Sequence, residues 1–123
     1  MSENLRITVL VENSVQRQGL VAEHGLSFHI QIGERSLLFD TGQTDLALMN
    51  AEPLRLPLDR LQAIVLSHGH YDHTGGLPAI LDAAPNAPVY LHPAAFEKKY
   101  SKSPNGKTRF MGMNPTTAQA LHG

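Results

Sequence analysis

The sequence contains no cysteine among its 123 residues. This absence excludes disulfide bonds, thiolate metal ligands and any mechanism that depends on a cysteine nucleophile. Long hydrophobic runs are also missing, since none approaches the roughly 20 apolar residues that a membrane-spanning helix needs. The start of the chain has no basic segment followed by an apolar one, so we read no secretory signal. We therefore expect a cytoplasmic protein with no membrane partner.

The chain also has no large excess of positive or negative charge. The formal net charge is −1, which gives no reason to expect nucleic acid or an anionic membrane surface as a partner. Hydrophobic residues make up 41% of the chain and charged residues 17%, a composition typical of a soluble globular protein. The length suits one modest domain that spans residues 1–123.

The pattern of apolar residues predicts an α/β fold in which helices cover a mostly β layer. The last part of the chain, residues 101–123, is predicted as a loop-rich tail with a weak helical pattern over 116–121. Strands are expected at 5–11, 26–32, 36–39, 61–67 and 89–91, and helices at 45–51, 77–84 and 94–100.

The stretch SHGHYDHTGG at positions 67–76 holds three of the seven histidines in the chain. It follows a predicted buried strand, and the carboxyl ends of such strands are where α/β proteins usually place ligands. Neutral imidazole and carboxylate are the ligands that Zn²⁺ and similar ions take up. A histidine-rich surface loop is the alternative, but the clustering and the flanking glycines favour a metal site.

The spacing within this stretch offers ligands to two ions. His68 and His70 are two residues apart, so in extended backbone both point the same way and reach one ion. Asp72 and His73 follow after a turn and form a second pair. Two ions about 3.5–4 Å apart can hold a substrate oxygen and make hydroxide available at neutral pH.

The string HGHYDH at 68–73 resembles the signature of the metallo-β-lactamase fold superfamily, and the aspartate of FDTG, Asp40, matches the upstream aspartate of that superfamily. VLVENS at 9–14, EHGLSF at 23–28, LLFDTGQ at 37–43 and HPAAFEKKY at 92–100 look like the branch named after a dihydropterin–ribofuranosylaminobenzene phosphate synthase.

The resemblance implies an αββα sandwich with a binuclear metal centre. His68 and His70 would hold the first ion, and Asp72 and His73 the second. Asp72 would also take or give a proton near the bound water, and Asp40 would hydrogen-bond and orient a ligand. We expect two divalent ions, zinc first, with manganese or iron as alternatives.

The resemblance also implies ligands that this chain does not supply at recognisable positions: a third histidine for the first ion, a bridging aspartate and a last histidine. His122 is the one histidine after position 92. We therefore expect the N-terminal half of a longer protein. Such a half would expose a sheet edge and an apolar face, and would form a homo-oligomer or pair with the missing C-terminal half.

Several further residues have two interpretations each. Asp40 can orient a ligand or cap the following helix. His24 can approach the site or lie in a solvated turn, and Tyr71 can line a substrate pocket or cover the metals. Gly75 and Gly76 can bind an anion at a helix start or only allow a tight turn.

For His29 and His92 a structural role is favoured over metal ligation. The basic segment 97–109 is a mobile surface loop or a grip for a phosphorylated substrate.

Together these features predict a metal-dependent hydrolase that activates water against an ester or phosphoester bond of a small molecule, which can be phosphorylated. The resemblance adds pterin–phosphate condensation as an alternative. A non-catalytic metal-binding or assembly module is the third reading, because the site is incomplete.

Overall fold

The computed structural model describes residues 4–122, and its centre is a five-stranded mixed sheet with helices on one side. The strands lie side by side in chain order; the first three pair antiparallel and the last three pair parallel. The predicted α/β fold is therefore confirmed. The strands are β1 Leu5–Val11, β2 Ser27–Ile32, β3 Arg35–Phe39, β4 Ala63–Val65 and β5 Val89–Tyr90.

Four short α-helices accompany the sheet: α1 Leu46–Ala51, α2 Tyr71–Thr74, α3 Leu77–Ala83 and α4 Pro115–His122. Two 3₁₀ turns occupy Leu58–Arg60 and Pro93–Phe96. Within residues 4–122, none of the helices has the length and apolar character needed to cross a membrane.

The hydrophobic core lies between the sheet and the helices. Leu38 of β3 and Ile64 of β4 are cross-strand partners and are fully buried, as are Leu77 and Ile80 of α3. Ala47 of α1 completes this layer. The core therefore fixes β3 and β4 beside each other, and these are the two strands whose carboxyl ends carry Asp40 and the histidine-rich stretch.

The opposite face of the sheet is apolar and is covered by nothing within residues 4–122. Its side chains belong to cross-strand partners and therefore lie on one face. None of them is buried, and Leu5 is 63% and Ile7 56% exposed. Arg35 lies opposite Ile32 at the end of this face. Its apolar members are Leu5, Ile7, Val9, Phe28, Ile30, Ile32, Leu37, Phe39, Ala63, Val65 and Tyr90. A contiguous apolar face of this kind is typical of a surface that another protein layer buries.

The polar face of β2 points into the helical core. Ser27 is buried and its hydroxyl donates a hydrogen bond to the Asp40 carbonyl at 2.8 Å. His29 is only 1% exposed, and neither ring nitrogen has a hydrogen-bond partner among the described residues. Burial lowers the pKa of His29, because the charged form is poorly solvated there. His29 is therefore a structural residue in this chain and lies away from the histidine-rich stretch.

The region after β5 differs from the prediction. The helix expected at 94–100 is a 3₁₀ turn that ends at Phe96, and residues 100–110 form a hairpin from β6 Tyr100–Lys102 and β7 Thr108–Phe110. Gly106 takes a φ of +83° in the turn, a conformation that glycine adopts at little cost. Asn105-Gly106 between two aromatic-containing strands was the sequence signal for this hairpin.

Truncation in the buried layer should destabilise the fold. Ile64→Ala removes a fully buried side chain, so we expect the free energy of unfolding to fall by about 2–5 kcal/mol in a denaturant titration. Met49→Ala on α1 is the matched control, because Met49 is 56% exposed; it should change the free energy of unfolding by less than about 0.5 kcal/mol. Equal losses in the two variants would contradict this core.

His29 should make the metal-free protein less stable in acid. Its pKa is lowered from 6.5 in the folded state, so just below pH 6.5 the unfolded chain binds a proton at this histidine and the folded chain does not. The free energy of unfolding should fall as the pH drops below 6.5. In His29→Leu this contribution is absent, so the variant should have a shallower pH dependence in chelator-containing buffer from about pH 8 to pH 5. An identical pH dependence of the free energy of unfolding in the two proteins would disprove this contribution of His29.

Candidate metal centre

Asp40 lies directly after β3 and is fully buried. Its backbone has a φ of +59°, a left-handed conformation that costs a non-glycine residue energy. The side chain compensates by accepting three hydrogen bonds: from the Ser67 amide at 2.7 Å, from the Ser67 hydroxyl at 2.6 Å and from His73 Nδ1 at 2.7 Å. Helix α1 begins after Asp45, so Asp40 does not cap it. The carboxylate thus connects the end of β3 to the histidine-rich stretch.

These contacts fix the tautomers of two histidines. A carboxylate only accepts hydrogen bonds, so His73 Nδ1 carries a proton and donates it to Asp40. The Ser67 hydroxyl also donates to Asp40, so its oxygen accepts from His68 Nδ1, which lies 2.7 Å away. Both imidazoles are therefore protonated at Nδ1 when neutral. Their Nε2 lone pairs are left available for a metal ion.

The predicted ligands lie together in space. The ring centroid of His68 is 4.6 Å from that of His70 and 4.3 Å from that of His73. His73 Nε2 lies 3.7 Å from Asp72 Oδ2. One ligand atom from each of Asp40, His68 and His73 falls within 4.8 Å of the others. Since the carboxylate of Asp40 already accepts three hydrogen bonds, we assign it the orienting role and leave coordination to the imidazoles.

His24 reaches the same cluster from the loop before β2. Its Nε2 lies 3.1 Å from Asp72 Oδ2, and its side chain is 59% exposed. The other oxygen of that carboxylate, Asp72 Oδ1, is buried without a hydrogen-bond partner among the described residues. A buried carboxylate oxygen with no partner is costly unless a ligand satisfies it. A divalent cation would satisfy it, so the donor set fits a metal ion.

The protonation of the two histidines differs. The pKa of His68 is lowered, chiefly by burial and further by the neighbouring rings of His73 and His70. His68 is therefore neutral at neutral pH and free to coordinate. The pKa of His73 is raised by its hydrogen bond to Asp40, against the opposing effect of burial. The same hydrogen bond makes Nε2 of His73 a more basic ligand.

Tyr71 lies at the rim of this cluster. Its ring centroid is 6.5 Å from that of His24, and its hydroxyl accepts a hydrogen bond from Arg109 at 2.9 Å. Tyr71 therefore stands beside the predicted metal ligands.

Gly75 and Gly76 pack tightly against the loop after β3, which favours the second of their two interpretations, the tight turn, over anion binding. A Cβ on Gly75 would lie 2.0 Å from the Gln43 carbonyl oxygen, and one on Gly76 would lie 2.2 Å from that of Thr41. Both amides already donate hydrogen bonds, Gly75 to Tyr71 and Gly76 to Gly42. These glycines allow the loop after β3 to approach the histidine-rich stretch, and their N–H groups are not available to an anion.

Two other histidines lie outside the cluster. His92 Nδ1 accepts a hydrogen bond from the Ala94 amide at the start of a 3₁₀ turn, in line with the favoured structural role. His122 stacks on Phe96 with centroids 4.8 Å apart.

The role of Ser67 and the contact between Arg109 and Tyr71 were not predicted from the sequence. The hydroxyl next to His68 at a strand end was a usable signal for Ser67. Arg109 was included only as part of the basic segment 97–109, and nothing local pointed to its contact with Tyr71, which is 38 residues away.

Replacing Asp40 with asparagine should weaken metal binding without unfolding the chain. Asparagine tolerates the left-handed backbone at this position. Its amide group can donate to His73 Nδ1, which moves the imidazole proton to Nε2 and blocks the coordinating lone pair. We expect Asp40→Asn to lower the affinity for Zn²⁺ about 10–100-fold in competition with a chromogenic chelator.

Asp45→Asn makes the same chemical change at an exposed position with no capping hydrogen bond, and it should leave the affinity unchanged. Circular dichroism would establish that both variants are folded. An unaltered affinity in folded Asp40→Asn would refute the orienting role of Asp40.

Comparison with known proteins agrees with this geometry. The chain is 38% identical over 116 residues to an uncharacterized protein of Methanocaldococcus jannaschii, covering 94% of this chain and 43% of that protein. It is 31% identical over 109 residues to a 7,8-dihydropterin-6-methyl-4-(beta-D-ribofuranosyl)-aminobenzene-5'-phosphate synthase of the same organism, covering 83% of this chain and 37% of the synthase.

A solved structure also matches, the metallo-beta-lactamase fold protein YhfI from Bacillus subtilis. The TM-score is 0.57 at 26% identity, and the match covers 73% of this chain and 37% of that one. The chain thus spans less than half the length of each of these proteins. The profile of the metallo-beta-lactamase superfamily matches residues 21–119. With Asp40 after β3 and the histidine-rich stretch after β4, the chain belongs to the metallo-beta-lactamase superfamily.

Proposed function

We propose that this chain is the metal-binding part of a metal-dependent hydrolase with a binuclear centre. The observation that carries the proposal is the hydrogen-bond arrangement in which Asp40 and Ser67 leave Nε2 of both His68 and His73 unprotonated. His68 and His70 would hold one ion, and Asp72 and His73 the other. Zinc is the first candidate for both, because imidazole and carboxylate are its ordinary ligands, and manganese or iron are alternatives.

Two bound ions would lower the pKa of a coordinated water towards neutrality and so supply hydroxide at neutral pH. The residues of the chain would perform the remaining tasks. Asp40 holds the two imidazoles in place. Asp72 would take or give a proton, since its buried Oδ1 has no protein partner among the described residues and its Oδ2 faces His24. Tyr71 would line the substrate pocket.

The bond attacked is an ester or phosphoester of a small molecule in this proposal, and the protein would be cytoplasmic. The similarity to a protein named as a phosphate synthase supports a second candidate, a condensation between a pterin and a phosphorylated compound. A non-catalytic metal-binding module is the third candidate, since the residues described supply only two predicted ligands for each ion.

We propose that a C-terminal segment supplies the remaining metal ligands and a second sheet that covers the open apolar face. Support comes from the extent of that face and from the relatives, of which the chain covers 43% and 37%. A homodimer is the competing arrangement. The mass in solution separates the two, because a stable dimer with two complete centres would exclude the need for a C-terminal segment.

Metal content and turnover test the hydrolase. Up to two ions per chain should bind, and the zinc- or manganese-loaded protein should cleave bis(p-nitrophenyl) phosphate. Asp72→Asn removes the proton-transfer group and should lower turnover about 10²–10⁴-fold. His68→Ala should lower both metal content and turnover.

His92→Ala is the control, since His92 is exposed and lies outside the cluster. Metal bound without turnover on any ester or phosphoester would favour the non-catalytic module. Absence of metal from the purified and zinc-supplemented chain would refute the centre itself.

A further inference from the structure

The segment 97–109 contains five basic residues and one acidic residue. Most of it belongs to the β6–β7 hairpin, which is exposed along its whole length. Among the described residues, the side chains of Lys98, Lys102 and Lys107 make no ion pair or hydrogen bond. The hairpin therefore presents positive charge that this part of the protein does not neutralise.

The hairpin is fastened to the helix that carries the metal ligands. The Tyr71 amide donates to the Met111 carbonyl at 3.2 Å, and the Met111 amide donates to the Lys99 carbonyl at 2.7 Å. These backbone contacts join the base of the hairpin to the start of α2. Because Tyr71 lies between His70 and Asp72 in the chain, the hairpin base stands next to two of the predicted metal ligands.

The side chain of Arg109 contacts Tyr71 at this junction. Its Nη2 donates to the Tyr71 hydroxyl at 2.9 Å, and its guanidinium carbon lies 5.5 Å from the centroid of the Tyr71 ring. A guanidinium has five N–H donors in a planar fork, and this contact uses one of them. No carboxylate of the described residues pairs with Arg109. The side chain is thus held in position with most of its donors unused.

We propose that Arg109, positioned by Tyr71, binds the terminal phosphate of a small phosphomonoester at the rim of the metal centre. The guanidinium fork matches two phosphate oxygens, and the ring holds the fork in one orientation. A doubly charged monoester gains about twice the attraction of a singly charged diester at the same distance. The monoester is therefore the class that the Arg109 fork fits.

The inference deepens the proposed hydrolase by naming the substrate class, and it rests on that proposal for the reactive bond. Phosphate binding itself does not need the metal. The two ideas are therefore separable, because binding can be measured in the metal-free protein and metal content can be measured without phosphate.

Calorimetric titration of the chelator-treated protein with phenyl phosphate, at about pH 8, tests the subsite. Arg109→Ala should lower the affinity about tenfold, as expected for the loss of a charge-assisted hydrogen-bond pair. Arg109→Lys should lose less, because it keeps the charge and loses the fork. Lys107→Ala removes one positive charge from the same hairpin and is the matched control, with an expected change within about twofold.

Equal losses in Arg109→Ala and Lys107→Ala would mean diffuse attraction and would overturn the subsite, as would a wild-type protein that does not bind phenyl phosphate. An RNA decamer without terminal phosphates that binds as tightly as phenyl phosphate would overturn the monoester assignment. Circular dichroism would verify that Arg109→Ala is folded, and Arg109→Lys repeats the test in a side chain of similar length.

Metal content decides how a failure is read. A protein that holds metal but shows no Arg109-dependent phosphate binding disproves the subsite and leaves the hydrolase standing. A protein that binds phosphate through Arg109 but holds no metal supports the subsite and disproves the metal-dependent hydrolase.

Discussion

The buried carboxylate of Asp40 is the contact on which the candidate metal centre depends. It joins the end of β3 to Ser67 and His73, and it does so from a strained backbone with a φ of +59°. Three hydrogen bonds to one carboxylate offset that strain, since bonds to a charged acceptor are the stronger ones. Without this carboxylate, neither His68 nor His73 has a fixed proton position. The close packing of Gly75 and Gly76 under the loop 41–44 holds the two segments at the distance that these bonds require.

One face of the sheet is covered by helices, and the other face is uncovered among the described residues. Helices α1 and α3 cover one face, where Leu38 and Ile64 are fully buried. The other face is apolar, and its side chains are half-buried or exposed on all five strands. Buried polar atoms normally have hydrogen-bond partners. On the covered face His29 is an exception, because it is buried and its ring nitrogens have no partner among the described residues. His29 is expected to lower the free energy of unfolding in acid, and it lies outside the candidate metal centre.

The rim of the site is assembled from distant parts of the chain. His24 comes from the loop before β2, Tyr71 from α2 and Arg109 from β7. These side chains are joined by contacts between His24 and Asp72 and between Arg109 and Tyr71. An imidazole and a guanidinium thus stand beside a cluster that already offers oxygen and nitrogen ligands. The proposed metal centre and the proposed phosphate subsite therefore share one rim.

The α/β order of elements and the position of the histidine-rich stretch after a buried strand could be predicted, because both depend on residues that are close in the chain. Spacing alone brought His68 and His70 together, and the turn did the same for Asp72 and His73. The remaining contacts could not be predicted, because they join residues that are distant in the chain. The Asp40–Ser67 bond spans 27 residues and the Arg109–Tyr71 bond spans 38. Such contacts follow from the pairing of β3 with β4 and from the docking of a hairpin on α2. The residue pattern within any one segment does not predict them. The alternation in β2 defined two faces, but the helices, by packing on one of them, decided that the face of Ser27 and His29 is buried.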